Sequence, residues 1–255
     1  MIFIIIIFAK SNINMETQEG NSFVDRLYSS TLPIKLVNLA KPIVTDHLHK
    51  CIEDKTLNYD ELGNDREKKI KNALVIFTNL QTVIEDLNKV IYFLGATKED
   101  VQKMYPSMSL EDYYNYHLEN YVIRVNSIPD VLAGLGNLIC GWGINPRSCY
   151  GTSIPNSPQI ANQDIKDKMN SLLSQTQSIR SIRNKKVHSG SAEIDYFEQA
   201  TVWDSIESIG IPLTPELEQL SKEKKVEATE VIKNEINGVL DDVIALLDIM
   251  SSSLN

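Results

Sequence analysis

The sequence predicts an all-α fold, and three observations carry that expectation. Apolar residues recur at spacings of three and four over long windows, the pattern of a helix with one buried face. No window alternates apolar and polar residues as a half-buried strand does. Eleven glycines and nine prolines in 255 residues are too few for the turn-dense connections of an all-β protein. With 42% hydrophobic residues, a chain of this length buries a sizeable core, most simply as one domain with an extra segment.

The elements follow in order. The opening MIFIIIIFA is apolar, but it falls far short of the roughly 20 residues that span a bilayer. No basic residue precedes it and no small-residue cleavage pattern follows it, so no stable membrane insertion is expected. Residues 1–20 read as a disordered or mis-called start, with METQEGNSF from Met15 the more ordinary beginning; an N-terminal membrane contact is the rival reading. Residues 21–60 are expected to form an N-terminal helical extension. From Arg66 to Leu94, Ile70, Leu74, Phe77, Ile84, Leu87, Ile91 and Leu94 form one helical stripe with a gap at Gln81. Gly95 closes that helix, and Thr97 caps a short turn ending near Pro106. Ser109 with Asp112 three residues on resembles a capping box, which opens a helix running towards Cys140 and bent at Pro129. The tract GWGINPRSCYGTSIPNSP, 141–158, has too many breakers for regular structure. A further helix is expected from about Ala161 to Lys186, and a shorter one over Glu193 to Ile209. Thr214-Pro215-Glu216 is a helix start with proline in first position. The last helix places Ile232, Ile236, Val239, Val243, Leu246 and Met250 on one face.

Several function classes are excluded by residue chemistry. Cys51, Cys140 and Cys149 are odd in number and lack Cys-x2-Cys pairing, which argues against a disulfide framework or zinc module and fits a reducing cytoplasm. His47-Leu48-His49-Lys50-Cys51 offers three donors without a fourth and reads as a surface helix. GWG at 141–143 lacks the Lys-Ser/Thr and the preceding strand of a nucleotide phosphate loop, so it reads as a turn. Neither a metal nor a cofactor is expected.

Polar residues that interrupt the apolar stripes point to a site. On the helix from Ala161, Ile165, Met169, Leu172, Thr176 and Ile179 lie within about 40° of one direction at about 100° per residue, and Arg183 falls in the middle of that stripe. His188 would lie about 140° from Arg183 on a continuous helix. Ser189 and Gly190 supply a breaker, and the two side chains converge if the helix ends near Lys186. The helix from Ser109 repeats the anomaly: His117 and Arg124 lie in the stripe of Leu110, Tyr113, Tyr121, Ile128, Val131 and Leu135. Two arginine and histidine pairs on apolar faces look more like a site than like satisfied core residues.

Arg183-Asn184-Lys185-Lys186-Val187-His188 resembles the Arg-x4-His signature of HEPN domains, including the polar residue after the arginine. His117-Leu118-Glu119-Asn120-Tyr121 with Arg124 is similar to the earlier helix of one bacterial HEPN subfamily. The resemblance covers roughly residues 66 to 250 and implies an antiparallel helical bundle over 66–255. It further implies a metal-independent endoribonuclease working as a homodimer, with the two motifs facing each other across the two-fold axis. By family analogy the protein is a toxin or antiphage effector, with an antitoxin or regulatory protein among its partners.

The residues suit that chemistry. Attack of a ribose 2′-hydroxyl on its own phosphate needs proton transfer and stabilisation of a phosphorane. His188 is the general acid/base, Arg183 offers a planar fork for phosphate oxygens, and Asn184 fixes the histidine or a phosphate oxygen. Between Lys168 and Ala192 stand five cations and no acid, in a chain of net charge −9. Such a one-sided run on an acidic protein reads as a local phosphate cradle for RNA, with Arg180, Lys185 and Lys186, and with Arg124 and His117 from the earlier helix, as substrate-binding residues. The alternative is a non-catalytic dimeric HEPN scaffold that binds a partner protein or a nucleotide, because fold alone does not give function.

Overall fold

A computed structural model describes residues 22–55, 58–59, 62–177, 179, 206, 211 and 213–254. Every described element is helical. Helix α1 spans Phe23–Leu27, α2 Thr31–Glu53, α3 Asp65–Leu94, α4 Lys98–Met104, α5 Leu110–Cys140, α6 Gln163–Gln175 and α7 Pro215–Ser251. The ends lie where local chemistry puts them. Asn64 with Glu67 and Thr97 with Asp100 form reciprocal capping boxes, and Ser109 accepts from the Asp112 amide. Thr214 caps α7 with Pro215 in the first turn, and α7 then runs unbroken to Ser251. The helix expected from about Ala161 to Lys186 runs only from Gln163 to Gln175, where Thr176 caps it; the rest of that stretch and the helix expected over Glu193 to Ile209 fall almost wholly outside the described residues, as do residues 1–20.

Helices α3 and α5 pack most extensively against each other, and α6 lies on α7. The first pair is antiparallel, because Phe93 meets His117 while Asp86 meets Arg124. Helices α1 and α2 run alongside α7 in the parallel sense. Arg26 bonds Asn237 and Asp241, Thr31 donates to Asp248 at 2.7 Å, and the Lys35 ammonium donates to the Ser251 carbonyl at 2.8 Å. Below these polar links Leu27, Leu32, Leu36 and Ala40 are completely buried, in one core continuous with Leu74, Leu80, Ile84, Ile236 and Val243. Burying each such leucine contributes roughly 1.5–3 kcal/mol.

The gap in the α3 stripe has a physical reason. Gln81 stands where α1 ends, and the Tyr28 hydroxyl donates to its Oε1 at 2.8 Å. Two expectations need correction. The tract 141–158 is not without regular structure: short 3-10 turns occupy Pro146–Ser148 and Gly151–Ser153. They form because Gly151 packs so closely on Pro129 that a Cβ there would lie 2.4 Å from the proline ring, while its amide donates to Asp130 at 2.8 Å. The helix carrying His47 is not a surface helix at that residue. His47 and Cys51 are buried one turn apart while His49 is exposed, because their face of α2 closes over the connection into α3. GWG is a turn: Gly141 ends α5 at φ 67°, a left-handed geometry that glycine adopts without strain.

Candidate functional site

Two helices position the candidate residues. Asn162 caps α6 by accepting from the Asp164 and Ile165 amides. Its buried face runs through Ile165, Met169 and Leu172, and the cap residue Thr176 and Ile179 beyond it are buried as well. A single carboxylate clamps α6 to α7. Asp242, 4% exposed, accepts from Gln175 Nε2 at 2.6 Å and from Lys168 Nζ at 3.3 Å. Gly238 lies one turn earlier on α7, and a Cβ there would stand 2.9 Å from Gln175 Oε1. Lys168 is therefore engaged with α7 and is not a free member of the cation run. Arg180, Arg183, Asn184, Lys185, Lys186 and His188 lie outside the described residues.

On α5 the two stripe residues meet α3. His117 is 8% exposed and stacks on Phe93, with centroids 4.5 Å apart and planes 26° from parallel. Tyr113 closes on it edge-first at 4.5 Å. Burial lowers its pKa, so the imidazole is neutral at neutral pH. Arg124 is half-buried and binds Asp86 Oδ2 at 2.9 Å, while Lys89 holds Oδ1 of the same carboxylate at 2.8 Å. Tyr121 is fully buried and ties α5 to α7 through a 2.6 Å bond from its hydroxyl to Glu235. The structure thus brings His117 and Arg124 together on the α3–α5 seam, two turns apart, each with a partner on α3.

Sequence reading missed Asp86 and Asp242. Asp242 was within reach of the same arithmetic, since it sits beside Val239, Val243 and Leu246 on the buried face of α7. Asp86 gave no signal of its own, because its importance comes from Arg124 on another helix. Burial raises the Cys140 and Cys149 thiols, which leaves neither as a ready thiolate nucleophile. Among the described residues, no group of three His, Cys, Asp or Glu side chains could hold a metal ion, and no helix is long and apolar enough to cross a membrane.

An all-helical body carrying an Arg-x4-His segment beyond its α6 stripe defines the class of HEPN-like bundles. Residues 76–251 match the Cthe2314-like HEPN family, and the chain belongs to that family. The matched span contains α5, α6, α7 and the whole motif from Arg183 to His188. No curated protein and no solved structure matches the chain significantly.

Proposed function

We propose that this chain is a metal-independent endoribonuclease of HEPN type acting as a homodimer. The observation that carries the reading is the family match across residues 76–251, which spans an intact Arg183-x4-His188 motif. Two further observations support it. Thr176 and Ile179, which share a sequence stripe with Arg183, are buried, which supports reading that stripe as an apolar face. The segment from Arg180 to His188 also carries four cations without an acid, a local attraction for phosphate on an acidic protein.

In this reading the ribose 2′-oxygen attacks the adjacent phosphorus and the bond to the 5′-oxygen breaks. His188 of one protomer removes the 2′ proton and the copy across the two-fold axis protonates the leaving 5′-oxygen. Arg183 neutralises the extra charge of the phosphorane, and Asn184 orients the histidine or a phosphate oxygen. Arg180, Lys185 and Lys186 hold flanking phosphates. A role as toxin or antiphage effector restrained by a regulatory protein accords with the family. A dimeric scaffold that binds a protein or nucleotide is the second reading, because fold alone does not give function.

Incubating the purified protein with total RNA in EDTA tests the proposal. Cleavage should proceed in chelator and leave 2′,3′-cyclic phosphate ends. His188→Ala and Arg183→Ala should each lower the rate by about 10²-fold or more with the helical circular dichroism unchanged. Undiminished cleavage in either variant, or a strict magnesium requirement, refutes the assignment.

A further inference from the structure

Four aromatic rings form a ladder across the α3–α5 seam. Tyr92 and Phe93 end α3, His117 and Tyr116 face them from α5, and successive centroids are 5.5, 4.5 and 5.2 Å apart. The inner pair, Phe93 and His117, is stacked. The outer rings stand across it at 70° and 79°, and they are largely in water, Tyr92 at 77% exposure and Tyr116 at 59%. Scattered exposed apolar residues are ordinary, but here two exposed rings are held in place by contact with an inner pair, the partly buried Phe93 and the buried His117.

Charge lies next to it on the same seam. Asp86 and Phe93 are two turns apart on α3, as are His117 and Arg124 on α5, so the ion cluster sits about 10 Å along the seam from the ladder. Lys89 and Arg124 occupy both oxygens of Asp86, two cations against one carboxylate. Stacked nucleotides repeat at about 3.4 Å along a strand, so this separation corresponds to roughly three of them.

We propose that this ladder, with Lys89 and Arg124 beside it, is a docking platform for single-stranded RNA, the exposed tyrosines stacking bases and the two cations meeting a phosphate. The inference rests on the endoribonuclease reading and adds to it a substrate surface away from the Arg183 motif. Stacking on tyrosine is sequence-tolerant, because every base presents a π-face. The low basicity of His117 keeps the inner stack uncharged at neutral pH. A second copy of the chain fits the surface less well, since a two-fold contact sets the same patch against itself and opposes its cations.

The experiment measures fluorescence anisotropy of a short fluorescein-labelled oligouridylate with the His188→Ala chain at low salt. Tyr92→Ala and Tyr116→Ala should each weaken binding about tenfold. Tyr92→Phe and Tyr116→Phe should bind as the parent does, because the ring and not the hydroxyl is used. Both positions are exposed, so circular dichroism melts should be unchanged. The platform is overturned if the alanine variants bind like the parent, if the parent binds no oligouridylate, or if the substitutions alter only the mass seen by light scattering, which would mark a protein interface. Cleavage by the chain with His188 intact, measured alongside, separates the two claims. Ring-dependent binding without cleavage supports the platform and refutes the nuclease, whereas cleavage with ring-independent binding refutes the platform alone.

Discussion

At position 117 the chain buries an imidazole between Phe93 and Tyr113, and that burial lowers its pKa below the ordinary histidine value. In the unfolded chain the same group titrates near 6.5. As pH falls below about 6.5 the unfolded state takes up a proton that the folded state does not, so stability declines towards the lowered folded pKa. His117→Phe removes the linkage while keeping a ring against Phe93. Its melting temperature should therefore fall less between pH 7.5 and 5.5 than the parent's, and an equal fall in both would show that His117 is not the group responsible. The position of His117 and Arg124 on the apolar face was legible from spacing alone. Their partners were not, because Phe93 and Asp86 lie on another helix and only tertiary packing selects them. The Arg183 and His188 pattern was legible as a motif, because its content is residue type and interval.

Among the elements, helix starts were the most legible feature. A capping side chain and the amide it serves sit within three residues, so Asn64, Thr97, Ser109 and Thr214 declare themselves locally. The burial of His47 was hidden, since it depends on how the connection from α2 folds back: Lys71 of α3 reaches in to donate to the Tyr59 and Leu62 carbonyls at 2.9 Å each. The Asp242 clamp is the interaction at this scale with the clearest cost. Asp242→Ala removes the acceptor that Gln175 and Lys168 share, and should lower stability by about 0.5–1.5 kcal/mol in urea unfolding. Gln175 is exposed, so water can take the place of its lost acceptor. The Lys168 side chain is 46% exposed, so water already screens its attraction to the carboxylate. Gln175→Ala and Lys168→Ala should thus each reproduce only part of the effect.

For the molecule as a whole, the all-α architecture followed from periodicity. The proposed chemistry needs two motifs, so light scattering at micromolar concentration should give a homodimer. A strict monomer that retains full activity would contradict the reading. The contribution of α1 and α2 to the common core can be measured directly. Leu36 is completely buried, and Leu36→Ala should cost about 2–5 kcal/mol through lost contacts and a cavity, seen as a lower urea midpoint for the entire cooperative transition. The parallel docking of α1 and α2 on α7 also has a consequence for biosynthesis. The residues that Leu27, Leu32 and Leu36 need as neighbours include some of the last translated in the described chain, more than 200 positions downstream, as the Thr31 to Asp248 bond illustrates. Contacts so remote in sequence close late. A chain cut short before residues 215–251 leaves its first helices uncovered, a surface open to chaperones and proteases. Emergence of α7 is thus what first lets α1 and α2 be covered.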